Sequence, residues 1–363
     1  MKVARICIAV AAIATASSLI ATVPAGAHTH SKPEPTPTVL TTEVAAPFNL
    51  DVRGGRVLVA DGGLNKILRV TQHGSVSTVV ADAPATTGVA RARGYLAYTT
   101  TAGGPPAGIT ASGLHITRAN GYHVFADTLA YEKAHNPDAG VHYGVTNPSQ
   151  CVSYALSGAG FPVDYKGIVD SHAYSVAAFG KGWVVADAGA NALLYVTNSG
   201  RISTLAVLPA QPATITPEIA AGLGVPGLAE CGTFRYDFEA VPTDVEVGKD
   251  GFLYVTVLPG GPESAALGAR GKVYRVNPWN GKVTLVASGL LGATNLAIWR
   301  GDIYVTELFA GRVSRVRHGG VTKFLDLPGA LSIESGPRGL YVGTGVTGPS
   351  SVVRIDLSKG WRH

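Results

Sequence analysis

Charge is what this chain has least of. Asp, Glu, Lys and Arg make up 15% of its 363 residues, and the formal net charge is only +5. The basic residues are scattered, so the stripe with which a protein grips a phosphate backbone is missing, and nucleic acid is not an expected partner. Cysteine is nearly as scarce, at three residues. Three cannot build a disulfide-dense scaffold, and no Cys/His set has zinc spacing. There is no GxSxG elbow, no phosphate-cradling P-loop and no dinucleotide fingerprint. Beyond residue 27 no apolar run is long enough to span a membrane.

The one long apolar run comes first. Lys2 and Arg5 form a basic start, 6–23 is apolar and Ala-rich, and Ala25-Gly26-Ala27 has the small residues of a cleavage site. Residues 1–27 therefore read as a secretory signal peptide, and a retained anchor is the competing reading. Cys7 belongs to that leader, which leaves Cys151 and Cys231 in an exported chain. One disulfide between them is expected, with two independent thiols as the alternative. Residues 28–38, HTHSKPEPTPT, form a Pro-rich linker, in which His28 and His30 lack the rigid scaffold a metal site needs.

Glycine is abundant, at 46 residues, and proline numbers 22. They punctuate short β-type runs. Residues 170–205 give the clearest unit: four strands separated by Gly180-Lys181-Gly182, Asp187 to Ala190 and Asn198-Ser199-Gly200, where Gly and Asn accept positive φ. A lone four-stranded sheet cannot bury two apolar faces, so like neighbours are required. Related units occupy 47–80, 87–127, 242–286, 293–325 and the C-terminal stretch from Leu331. Their second strands end at Asp61, Thr99, Asp187, Thr256, Glu307 and Gly343, with uninterrupted neighbours spaced by roughly 40 residues, as propeller blades are. The fold class expected is all-β, a single six-bladed β-propeller over 39–363. The last unit lacks an outer strand, and 39–44 is the segment that can supply it by pairing with 351–357, closing the ring and removing two open edges.

Surplus length is concentrated in 128–169 and 206–241, with shorter insertions at 101–112 and 259–269. All four leave loops that open on one face of a propeller, so that face is expected to carry a cap, and with it the function.

The runs DSHAYSVAAFGKGWVVADAGANALLYV, AHNPDAG, PTDVEVGKDGFLYVTVLPGGP and GKVYRVNPWNGKVTLVASGL resemble the secreted ScyD/ScyE family, and more widely the six-bladed NHL-type and gluconolactonase-type propellers. The resemblance covers essentially the whole chain after the leader. It departs at His172-Ala173, where Asn-Pro is expected. It implies export and a propeller, and no established reaction.

In register, the entries to the first strands are Asn49, Gly88, Ser175, Asp244, Asn295 and Ser332. Asn49, Ser175, Asp244, Asn295 and Ser332 are the candidate ligand-binding residues at the cap-side mouth of a central channel. Asn49, Asp244, Asn295 and nearby Glu307 resemble the oxygen set with which gluconolactonase-type propellers hold a divalent cation such as Ca²⁺. The same residue types also bond strand-entry backbone, and that reading stays open. His172 and Glu307 are the candidate catalytic groups, His172 as a general base at the channel mouth. Asp61 and Asp187 read as turn-closing residues, while 131–133 and 136–138 could add polar contacts to a ligand. The functional expectation is a secreted, monomeric propeller holding a small molecule, glycan or other extracellular partner, with a metal-dependent hydrolase or lyase as the alternative.

Overall fold

The structure is a computed structural model and describes residues 34–104, 108–262, 265–346 and 349–358. The leader (1–27), Cys7, His28 and His30 lie outside them. The described chain folds into seven four-stranded antiparallel sheets and three short helices. No helix among the described residues is long and apolar enough to cross a membrane.

The third sheet shows why these sequences pair locally. Strands Ala173–Phe179, Gly182–Asp187, Ala192–Val196 and Ile202–Val207 neighbour one another in chain order. Phe179 faces Gly182 across a two-residue turn that holds Gly180 at φ +55°, where a Cβ would be strained. Asn191, at φ 52°, fills the equivalent place in the next hairpin, and Asn65 does so in the first sheet. Sheets within 47–80, 89–127, 242–290 and 293–326 repeat this order.

The remaining strand order in this set spans the chain. Ala330–Gly336, Gly339–Thr344 and Ser351–Asp356 pair consecutively, and the fourth strand is Thr38–Thr41 from the other end, antiparallel, with Val39 opposite Val353. The innermost strands touch in a cycle: Pro47–Arg53 meets Val89–Ala92, which meets Ala173–Phe179, then Pro242–Val247, Ala293–Trp299 and Ala330–Gly336, which returns to Pro47–Arg53. An apolar cluster fills each junction between neighbouring sheets. Trp183, Leu194 and Leu114 lie at one, Val245, Leu193 and Val255 at the next. Such clusters are the burial that one sheet alone cannot supply.

Three insertions differ from their expected form. Residues 101–104 and 108–112 are strand and not loop: Tyr95–Gly104 and Gly108–Arg118 pair along their length, with Thr101 opposite Ser112, because Thr-rich alternation extends the ladder. The large insertions are not irregular either. The first holds helix α1 (Thr128–His135), capped by Asp127 at its start and by left-handed Asn136 at its end, and helix α2 (Gln150–Gly158), capped by Ser149. The second holds helix α3 (Pro217–Gly222), with Thr216 as cap and Pro217 in its first turn.

Their short strands combine into the seventh sheet, in the order Asp164–Lys166, His142–Gly144, Phe234–Phe238, Gln211–Ile215. Gly144 opposite Asp237 joins the two insertions, and Cys151 is bonded to Cys231 with their Cα atoms 5.4 Å apart. This sheet and its helices have their own core, including Val152, Leu156, Ile215, Leu228, Tyr236 and Phe238.

Candidate functional site

The sequence-derived ring residues converge, but inside the protein. Asn49 is 4% exposed, Asn295 1%, and Ser175, Asp244 and Ser332 are fully buried, so they do not line an open mouth. Asp244 is the hub: Oδ1 accepts from Ser175 Oγ at 2.5 Å and from Asn49 Nδ2 at 3.4 Å, and Oδ2 from Leu296 N at 3.0 Å. Asn49 Oδ1 accepts from Val89 N, Asn295 Oδ1 from Ile333 N, and Ser332 Oγ donates to Pro47 O. Each of these bonds runs from one sheet to another. Gly88 has no side chain to add, and a Cβ there would sit 2.9 Å from Tyr174 O.

The side-chain oxygens of Asn49, Asp244 and Asn295 expected to bind a cation are thus engaged in stitching sheets together. Glu307 is not brought to the hub at all. It accepts from Arg312 Nε at 2.7 Å, from Leu291 N at 2.6 Å and from Ser314 Oγ. Leu291 leads into the first strand of its own sheet. Asp61 holds Ala45 N and Ala46 N in the same way, and Asp187 holds His172 N. Glu307 is therefore the third member of a loop-clamping set, with Arg312 balancing its charge. Asp61 and Asp187 also close their own turns, accepting from Leu64 N and from Gly189 N and Ala190 N.

His172 is a poor base in this setting. Burial lowers its pKa to about 4, its Nε2 is buried without a partner, and its ring stands edge-on to Tyr174. At neutral pH the ring is uncharged with little affinity for a proton.

One layer further along the same strands lie acids that the strand-entry reading missed. Two residues beyond Asn49, Asp244 and Ser332 are Asp51, Glu246 and Glu334, and period-two alternation places them on the same face. Asp51 is neutralised by Arg91, whose Nε donates at 2.8 Å. Glu246 and Glu334 are half-buried and lack such a partner. Burial raises the Glu246 carboxyl well above its ordinary range, and Glu334 and Asp244 add repulsion. Burial also raises Glu334 to about 8, with Asp51 adding to the effect and the Ser335 N–H opposing it. Asp244 itself is raised to about 6, by burial. Burial and mutual repulsion therefore make this pair hold a proton well above the ordinary glutamate range.

A folded state that holds a proton which the unfolded chain releases loses stability as pH rises between the two pKa values. From an ordinary glutamate value of 4.5 towards 8, the melting temperature should therefore fall. In thermal melts at pH 5, 6.5 and 8, Glu334→Gln should flatten that decline. An equal decline in the variant would remove the channel acids as its cause.

The cap offers a second kind of site. A pocket of about 140 Å³ lies between the two insertions, lined by Leu156, Phe161, Ile215, Leu228, Phe238 and other apolar side chains. A dry apolar cavity of similar size holds a benzene ring in other proteins. Its polar wall carries Tyr165, Asp170 and Glu239, with Tyr165 Oη donating to Glu239 Oε1 at 3.2 Å. Burial and Glu239 both raise the Tyr165 pKa, so the phenol stays a donor. Val241 and Gly260, also on the wall, adjoin the fourth sheet, which places the pocket where cap meets scaffold.

Solved structures that resemble this chain are β-propeller proteins. A glucose dehydrogenase aligns with 88% of this chain and 98% of its own at 13% identity, with a TM-score of 0.53. Virginiamycin B lyase from Staphylococcus aureus aligns with 85% of this chain and 80% of its own, also at 13% identity, with a TM-score of 0.47. Identities this low speak for the fold alone. No protein-family model and no curated protein matches the chain.

Proposed function

We propose that this is an exported, monomeric six-bladed propeller of ScyD/ScyE type that binds a small molecule in its cap. The blade count and closure by the N-terminal strand are supported by the cycle of innermost strands and by the pairing of Val39 with Val353. The Cys151–Cys231 bond and the composition of residues 1–27 favour export. Binding rests above all on one observation, the apolar pocket walled by both insertions and held by that disulfide. Apolar walls with a few convergent polar groups are the usual make-up of a small-molecule site. The Tyr165 oxygen, whose proton goes to Glu239, can accept a hydrogen bond, and Asp170 and Glu239 make this wall acidic, so the ligand class is a ring-bearing molecule with a donor or cationic group.

Benzylamine and benzoate, titrated calorimetrically, test this directly. The amine should bind one per chain and at least 10-fold tighter than the acid, because a carboxylate would face Glu239 and Asp170. Leu228→Trp should fill the pocket and abolish binding. Equal binding by the variant would refute the site.

A second reading keeps the alternative of hydrolase or lyase chemistry, and the Glu246–Glu334 pair favours it. Two carboxyls that share a proton at neutral pH can serve as acid and base. No step is routed through a metal at Asn49, Asp244, Asn295 and Glu307, whose oxygens are engaged elsewhere. Turnover of lactone or ester substrates that disappears in Glu246→Gln while benzylamine binding persists would establish this second site.

A further inference from the structure

The end of helix α1 holds buried acceptor oxygens that lack well-placed donors. Glu132 and Asp138 are each 1% exposed. Both carboxylate oxygens of Glu132, Oδ1 of Asp138 and Oδ1 of Asn136 are buried without a hydrogen-bond partner. The other oxygen of Asp138 is satisfied by Tyr143 Oη and by Asn191 Nδ2, both at 3.0 Å, which leaves Oδ1 fixed in direction. Asn136 Nδ2 donates to Gly167 O at 3.0 Å, which likewise fixes the direction of its own Oδ1. Gly167 packs so closely that a Cβ there would come within 2.1 Å of Asp138 Oδ1.

The charges acting on Glu132 come from Asp187, Asp138 and Asp170, all three carboxylates, and only the Asp170 backbone N–H favours its ionised form. Lys133 is the next residue on the helix, but it is exposed. Burial and these neighbours raise the Glu132 pKa to about 8, and a buried acid of this kind is accommodated either by holding a proton or by a counter-charge. No three His, Cys, Asp or Glu side chains among the described residues form a ready metal cage. This set is of another composition: two carboxylates and an amide oxygen, all hard oxygen donors.

We infer that Glu132, Asn136 and Asp138 bind a divalent cation of the calcium type, which ties the end of helix α1 to the 167–170 segment. Calcium takes six to eight oxygens, carboxylate, amide and water alike, at roughly 2.3–2.6 Å in flexible geometry. Two negative ligands match its charge. Magnesium fits less well, since it demands near-octahedral geometry and keeps most of its water. The site is separate from the ring of Asn49, Asp244 and Asn295, which has no such orphaned oxygens on its carboxylate.

Terbium, a calcium-like ion whose emission is excited through nearby tyrosine, tests the inference on the folded chain, since Tyr143 bonds Asp138 directly. Protein stripped with chelator should give terbium emission that calcium displaces. Calcium at millimolar concentration should raise the melting temperature by several degrees. Glu132→Gln and Asp138→Asn, each keeping side-chain volume, should weaken terbium binding at least 10-fold. Glu43→Gln, an exposed carboxylate outside every site described above, should leave it unchanged. Failure of a folded wild-type protein to show emission or a calcium-dependent melting shift would overturn the site, and so would retention of both in Glu132→Gln.

Discussion

A chain that begins at residue 45, without the Thr38–Thr41 strand, should fail to fold to a stable monomer, whereas one that begins at residue 37 should melt like the full chain. The shorter chain loses the ladder to Ser351–Asp356 and removes Leu40 and Val44 from the apolar cluster around Tyr341 and Val352. A few backbone hydrogen bonds at about 1 kcal/mol each and two aliphatic side chains at about 1.5–3 kcal/mol each together approach the 5–15 kcal/mol that stabilises a typical domain. It also bares the edge of Ser351–Asp356, which invites pairing between molecules. The chain from residue 37 keeps that whole strand and loses, among the described residues, the exposed Glu34–Lys323 pair, worth little, and the buried ring of Pro35. Size-exclusion chromatography and thermal melts distinguish the two. A chain from residue 45 that stays monomeric with an unchanged melting temperature would mean that the N-terminal strand does not close the fold.

Replacing Asp244 with alanine should destabilise the protein by about 4 kcal/mol. The change strands three buried donors at once, the Ser175 hydroxyl, the Asn49 amide and the Leu296 backbone N–H, and each unsatisfied group costs about 1–3 kcal/mol. Asp244→Asn retains one acceptor oxygen and the volume. Because burial already raises the Asp244 carboxyl to about 6, losing the negative charge itself costs little. The asparagine variant should therefore lose less than half as much. Urea titrations of the three proteins give the comparison. Equal losses in both variants would make charge, and not hydrogen bonding, the role of this residue.

The repeating units were legible because their information is local. Turns with Gly or Asn mark the hairpins within a few residues, and three of the six second strands end in Asp or Glu, at Asp61, Asp187 and Glu307. The N-terminal strand was legible by elimination, since Ser351–Asp356 needs a partner and only one β-type segment is unassigned. The cap sheet was not legible. Its strands are as short as three residues, and Gly144 meets Asp237 across most of the third unit, a pairing with no local signal. The pocket between the insertions is hidden for the same reason.

The candidate site was half legible. Strand register does bring Asn49, Ser175, Asp244 and Asn295 together, yet register says nothing of how closely the innermost strands approach. They approach far enough for Asn49 to reach Asp244, and the polar ring becomes a buried seam. Glu246 and Glu334 were within reach of the sequence, since alternation puts every second residue of those strands on the same face. Glu307 misled because its chemistry suits a cation, while its position matches the loop-clamping Asp61 and Asp187.

The central claim is that the cap pocket, and not the polar ring, receives the ligand. Methyl-resolved NMR of the protein labelled at Ile, Leu and Val, titrated with benzylamine, tests it most directly. Shifts confined to pocket-wall methyls, those of Leu156, Ile168, Ile215, Leu223, Val225, Leu228 and Val241, with Val176, Val245, Leu296 and Ile333 beside the ring unmoved, are the predicted result. Shifts at the ring methyls, or at none of either group with ligand in excess, would contradict it.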